Sequence, residues 1–183
     1  SFRKEIMRYK LSLSREGFTF IETVLVIGII GMFIVVLYPS IMNSLETRDL
    51  ENSARDIQST LQRAKFQAVK TKINHRVGFE NVDESWFFFI EREDNPGTWN
   101  MIQGIIKKEI SFKFDITVNF PDAAGTPDKA VVFSPLGFIS NFDTNQNNIT
   151  LKSDKLETHG QPDLRIISVY AGGSIHYIKS ESE

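Results

Sequence analysis

Between Phe18 and Met42 the chain reads FTFIETVLVIGIIGMFIVVLYPSIM, and Glu22 is the only ionisable side chain there apart from a tyrosine. An ionised carboxylate at the centre of a bilayer costs about 2.5–3.5 kcal/mol, less near the interface, so Glu22 calls for a cationic partner. Ion pairing in a low-dielectric setting is the chemistry this residue can do. Elsewhere the reactive inventory is sparse. His75, His159 and His176 are scattered without metal-ligand spacing, and the chain has no cysteine. It carries neither a GxSxG elbow nor a GxxxxGK phosphate loop, so no catalytic residue and no cofactor is expected. The segment from Asp143 through Asn145 and Asn147 to Asp154 echoes the spacing of a calcium loop, but Asn148 stands where the turn needs glycine and Asp154 closes it. It reads as a polar turn without a metal.

The element that must position Glu22 is the apolar run itself. Its 25 residues would make a helix of about 37 Å against a hydrocarbon core of roughly 30 Å, long enough to span a membrane. A secretory signal would end its apolar stretch within 7–15 residues at a small-residue cleavage site; this run continues to Tyr38. Residues 1–17 carry Arg3, Lys4, Arg8, Lys10 and Arg15 against Glu5 and Glu16, a local charge of +3, whereas the whole chain is −2. The positive segment is therefore expected on the cytoplasmic side and everything beyond Met42 on the other. Inside the run, Gly28 and Gly31 are poor helix formers, and Pro39 has no N–H to offer the Val35 carbonyl.

The stretch REGFTFIETVLVIGIIGMFIVVLYP resembles the N-terminal region of type IV pilins and of the pseudopilins of type II secretion. It has the basic leader ending in glycine, then Phe18, Glu22 as the fifth residue of the apolar run, and a proline near its end. The resemblance implies cleavage between Gly17 and Phe18 by a prepilin peptidase, methylation of the new Phe18 amine, and assembly into a helical filament. It also implies that Glu22 pairs with an N-terminal amine, and that the helix loosens between Gly28, Gly31 and Pro39 on entering the filament. A positive amine beside the carboxylate would offset much of its desolvation.

Beyond the run, Ser44 to Lys72 reads as a continuing amphipathic helix. Leu50, Ala54, Ile57, Leu61, Ala64 and Ala68 follow steps of three and four and form one apolar stripe. The stripe covers fewer than three heptads and is rich in alanine, which favours packing on the protein's own sheet over a coiled coil. Glu51 and Arg55 are ordered for an i,i+4 pair, and Lys65, Lys70 and Lys72 suit the negative end of the helix dipole. From Ile73 the period becomes two. Strands are predicted over 112–120 and over 75–80, 85–91, 99–103, 130–134, 147–152, 164–171 and 174–179. Gly172 and Gly173 are expected at the centre of a hairpin joining the last two. WFFFI, Trp86 to Ile90, is apolar on both alternating faces and should lie between layers.

The expected fold class is α+β: a long transmembrane helix that becomes amphipathic and packs on an antiparallel β head. The divisions are residues 1–17 (basic leader), 18–42 (transmembrane and assembly helix), 43–72 (amphipathic continuation) and 73–183 (head). SARDIQSTLQRAKFQAVKTK, VVFSPLGF, NNITLKS and LRIISVYAGGSIHYI look like the minor-pilin and H-type pseudopilin group. That resemblance implies a structural subunit, not an enzyme, in the bacterial inner membrane before it enters a filament. Its implied partners are other pilins or pseudopilins, the prepilin peptidase and membrane lipid. A DNA-receptor minor pilin is the alternative. The terminal SIHYIKSESE holds one lysine and two glutamates, which disfavours nucleic acid as a partner because phosphate contacts carry most non-specific binding.

Overall fold

The computed structural model describes residues 19–182. The basic segment, Gly17 and Phe18 lie outside the described residues, as does Glu183. The chain divides into two compact units that part between Ser40 and Ile41. Helix α1, Phe20–Thr71, contributes to both. In the first unit its side chains through Pro39 are exposed on all sides.

The second unit is built on the remainder of α1. All six stripe residues, Leu50, Ala54, Ile57, Leu61, Ala64 and Ala68, are fully buried within the one chain. The three- and four-residue spacing places them on one face, and alanines at 54, 64 and 68 let the strands come close. Among the described residues nine strands follow: β1 His75–Val82, β2 Ser85–Asn95, β3 Thr98–Met101, β4 Lys108–Glu109, β5 Asp115–Asn119, β6 Lys129–Phe133, β7 Asn148–Lys152, β8 Leu164–Val169 and β9 Ile175–Ser180. A short helix, α2 Asp154–Thr158, separates β7 from β8. Every pairing is antiparallel. The first sheet runs β3-β2-β1-β6 with β4 also on β2, and the second runs β5-β7-β8-β9. Helix and both sheets share one core: Leu50, Ile57 and Leu61 with Val77, Phe79, Phe88 and Ile90 from the first sheet and Ile149, Leu151, Ile167 and Val169 from the second. This is the expected α+β arrangement.

WFFFI divides as a two-sided strand must. Phe88 and Ile90 enter the common core. Phe87 and Phe89 lie on the opposite face, where the Lys107 ammonium sits 4.7 Å and 5.6 Å from their ring centres. On that same outer face the register sets Arg76 against Glu91. The two form a nearly buried pair at 2.6 Å, with the Arg76 guanidinium 4.6 Å over the Trp99 ring. Gly78 is required here, because a Cβ would run into Pro127.

Three expectations change. The strand predicted over 112–120 is confined to Asp115–Asn119, because the Phe114 N–H donates to the Ser111 carbonyl (3.3 Å) and turns the chain first. Phe112 is left 79 % exposed, whereas Phe114 and Phe120 are buried on either side of the strand. The β8–β9 turn is centred on Ala171 and Gly172, since the Gly173 N–H donates to the Tyr170 carbonyl (2.7 Å). Gly173 follows with φ +75°, the left-handed residue of a hairpin bulge, and its Cα faces the Gly137 carbonyl so closely that no Cβ fits. Lys65 does not serve the helix end. Its ammonium donates to the Gly173 carbonyl (2.9 Å) and ties the hairpin to α1.

Candidate assembly site

Glu22 lies in the first turn of α1, with Thr19 immediately before the helix. The Thr19 backbone N–H donates to Glu22 Oε2 (3.2 Å), as does the Thr19 hydroxyl (3.1 Å). The Glu22 N–H in turn lies 3.3 Å from Thr19 Oγ1, and the Thr23 N–H reaches the Thr19 carbonyl at 3.2 Å. This is a capping box: the N-cap threonine and the residue three positions later satisfy one another's backbone donors. The T-x-x-E spacing carries that signal in the sequence, and Thr19 is a site residue that the charge of Glu22 alone does not reveal. The carboxylate also lies where the helix dipole favours negative charge. One of its oxygens, Oε2, is occupied by Thr19. Phe18, the amine-bearing residue of the implied pair, is outside the described residues.

Gly28 and Gly31 lie three residues apart within α1, and a Cβ at either would meet nothing within 4 Å. In the single chain they are open surface on an otherwise bulky helix. Pro39 is inside α1. Around these positions Met32, Phe33, Ile34, Val35 and Val36 are all more than half exposed. The helix is long and apolar enough to cross a membrane. An apolar surface of this extent marks a site that lipid or protein covers, and small residues in such a helix let another backbone approach.

The head contains no comparable constellation. Among the described residues no three histidine or carboxylate side chains converge as metal ligands. Asp143 accepts the Asn145 N–H at 2.8 Å and closes a local turn. The histidines are dispersed. His75 is buried on β1 with Nδ1 2.8 Å from the Ile73 carbonyl, and burial pushes its pKa down. His159 caps α2. His176 on β9 meets the Tyr170 ring at 4.8 Å.

Two buried charged groups bind the chain around the start of β8. Arg165, fully buried on β8, donates through Nη1 to the carbonyls of Pro162 (3.0 Å) and Leu164 (2.9 Å). Asp163 receives the Ser182 N–H (2.9 Å) and hydroxyl (2.8 Å). Burial alone would raise its pKa, but these Ser182 bonds, together with its own backbone N–H and the Lys152 charge, hold it below the ordinary carboxylate value. Ser182 is thereby fastened beside the start of β8.

No family model matches the sequence, and no curated protein matches it. Among solved structures, the minor pseudopilin EpsH from the type 2 secretion system of Vibrio cholerae is similar, with a TM-score of 0.52 at 9 % identity over 72 % of this chain and 97 % of that one. The type IV minor pilin FimU of Pseudomonas aeruginosa aligns with a TM-score of 0.46 at 13 % identity, over 73 % and 90 % of the two chains. The similarity to EpsH shows the fold: a long N-terminal helix with antiparallel sheets, arranged as in pilin-like proteins.

Proposed function

We propose that the chain is a structural subunit, of low abundance, of a type IV pilus or a type II secretion pseudopilus. In this reading residues 18–42 anchor it in the bacterial inner membrane, with the basic residues 1–17 in the cytoplasm and the head outside. A prepilin peptidase cuts between Gly17 and Phe18, and the chain then enters a filament through α1. Glu22 takes the new amine of a pilin as its cationic partner, while Gly28, Gly31 and Pro39 allow the helix to adjust on packing.

The observation that carries this reading is the placement of Glu22. It sits, with Thr19 as N-cap, at the start of a helix whose apolar surface through Pro39 is exposed all round, and the same chain carries a pilin-like head. A soluble globular protein has no use for such a helix, whereas a subunit that moves from lipid into a filament core needs it in both places.

The test is to express the full chain with and without a prepilin peptidase and a set of filament-forming pilins. Intact mass of the purified protein should show an N-terminus at Phe18 only with the peptidase, and the processed chain should appear in the sheared-filament fraction. A processed chain that never leaves the membrane pool would overturn the assembly role.

A further inference from the structure

The hairpin strand β9 is the last strand of its sheet and pairs with β8 alone. The direction of its backbone groups follows from two bonds. The Tyr170 N–H donates to the Ser174 carbonyl (3.0 Å), while the next residue back, Val169, donates to the Asn147 carbonyl (2.8 Å) on the far side of β8. Backbone direction alternates along an antiparallel strand. With the observed register, His176, Ile178 and Ser180 therefore turn towards β8, and Ile175, Tyr177 and Lys179 direct their N–H and C=O groups out of the sheet. None of those outward groups has a hydrogen-bond partner among the described residues.

Another edge of the head is treated differently. On β6 the Asn141 side chain donates to the Ala130 carbonyl (2.8 Å) and accepts the Val132 N–H (2.9 Å), and the Ser140 N–H closes on the Val132 carbonyl (2.8 Å). Proteins commonly block edges to prevent unwanted pairing; β6, an edge of the other sheet, is blocked in this way and β9 is not. Along the open one runs a groove between β9 and α1, lined by Lys65, Phe66 and Val69 from the helix and by Gly173 and Ile175 from the hairpin. Phe66 is 64 % exposed there. Further along, the Arg55 guanidinium lies 5.9 Å over the Tyr177 ring, and Lys179 shares the face of Ile175 and Tyr177. The carboxylate beside them, Glu51, is held by Arg55 at 2.6 Å.

We propose that β9 is an acceptor edge for an extended segment of a neighbouring filament subunit, which adds as a fifth strand beside Ile175–Lys179. Backbone groups of Ile175, Tyr177 and Lys179 require an extended partner. The groove asks for a large apolar side chain near Phe66 and Val69, and Lys179, which shares that face, asks for a carboxylate four residues further on, Arg55 being already held by Glu51. This chain's own residues 1–17, at +3, have the wrong sign to be the occupant. The source of the strand rests on the filament reading; the edge itself does not.

The probe is a blocked peptide of threonines carrying phenylalanine, valine and glutamate at alternate positions, added to the full chain in detergent micelles. Its control replaces the glutamate by lysine. Hydrogen exchange at the amides of Ile175, Tyr177 and Lys179 should slow at least tenfold with the glutamate peptide and clearly less with the lysine peptide. Lys179→Pro removes one outward N–H while leaving the ladder to β8 intact, as edge strands tolerate; it should abolish protection at Ile175 and Tyr177, whereas Lys179→Ala weakens it only partly. No protection at millimolar peptide, equal protection by both peptides, or protection unchanged by the proline would overturn the proposal. Protection in a chain that fails to enter sheared filaments would leave the edge standing and overturn the filament reading instead.

Discussion

Thr19 and Glu22 hold each other reciprocally at the head of α1: both Thr19 donors reach Glu22 Oε2, and the Glu22 N–H approaches the Thr19 hydroxyl. The proposed filament would give this one carboxylate a second, separable duty. It caps a helix through its hydrogen-bonding shape, and in the proposed filament it pairs with an amine through its charge.

The two duties give opposite mutational signatures. Glu22→Gln keeps a residue able to complete a capping box and removes only the charge. It should insert in the membrane and be processed normally, yet fall about tenfold or more in the sheared-filament fraction, consistent with loss of a charged hydrogen bond worth about 1.5–3 kcal/mol. Thr19→Ala keeps the charge and weakens the cap by about 1 kcal/mol, so it should assemble nearly as wild type. Immunoblots of the membrane and filament fractions decide between them; the reverse pattern would assign Glu22 to capping alone.

Adjacent glycines in one turn should differ sharply. Gly172→Ala meets nothing within 4 Å and should be neutral. Gly173→Ala combines a left-handed φ of +75° with a collision against the Gly137 carbonyl, and should destabilise the head by about 2 kcal/mol or more. Urea midpoints of the two variants provide the measurement.

Arg76 and Glu91 are nearly buried partners at 2.6 Å, so removing one leaves the other charged and unpaired. Glu91→Ala should lower stability by about 3–5 kcal/mol. Replacing both together by apolar residues of similar volume, Arg76→Met with Glu91→Leu, should recover most of that loss. A double variant no more stable than the single one would show that the cation over Trp99, and not the pair, holds this face.

Stability should fall on mild acidification. Burial, aided by repulsion from Arg92, keeps the His75 pKa below the ordinary imidazole value despite its bond to the Ile73 carbonyl. The unfolded chain, with a histidine pKa near 6.5, therefore takes up the proton first as pH drops. Stability is full above about 6.5 and declines below it by at most about 1.4 kcal/mol per pH unit. His75→Gln should flatten the profile between about pH 6.5 and 5, above the range where the low-pKa carboxylates Glu93 and Asp163 begin to titrate. Urea titrations at three pH values would reveal the difference, and parallel profiles would remove His75 as its source.

Much of this architecture is written locally. The apolar run, the stripe from Leu50 to Ala68 and the alternation along each strand are periodic, and a period of 3.6 or 2 determines helix or strand and its buried face wherever one face is apolar. The T-x-x-E spacing of Thr19 and Glu22 belongs to the same class of short-range signal. Periodicity is silent where both faces are apolar or where the next contact is distant in sequence. Only the tertiary structure sends Phe88 into the core and Phe89 to the other side, and it alone starts β5 at Asp115, after a turn has carried Phe112 into solvent. Lys65 reaches Gly173 across 108 positions, and Arg165 is buried because its strand shares the face of Ile167 and Val169. Which sheet edges are blocked is decided in the same way: Asn141 closes β6 from eleven residues beyond Ala130, whereas the outward groups of β9 have no hydrogen-bond partner among the described residues. Such pairings depend on chain closure and on which backbones come within hydrogen-bond reach, and no local period encodes either.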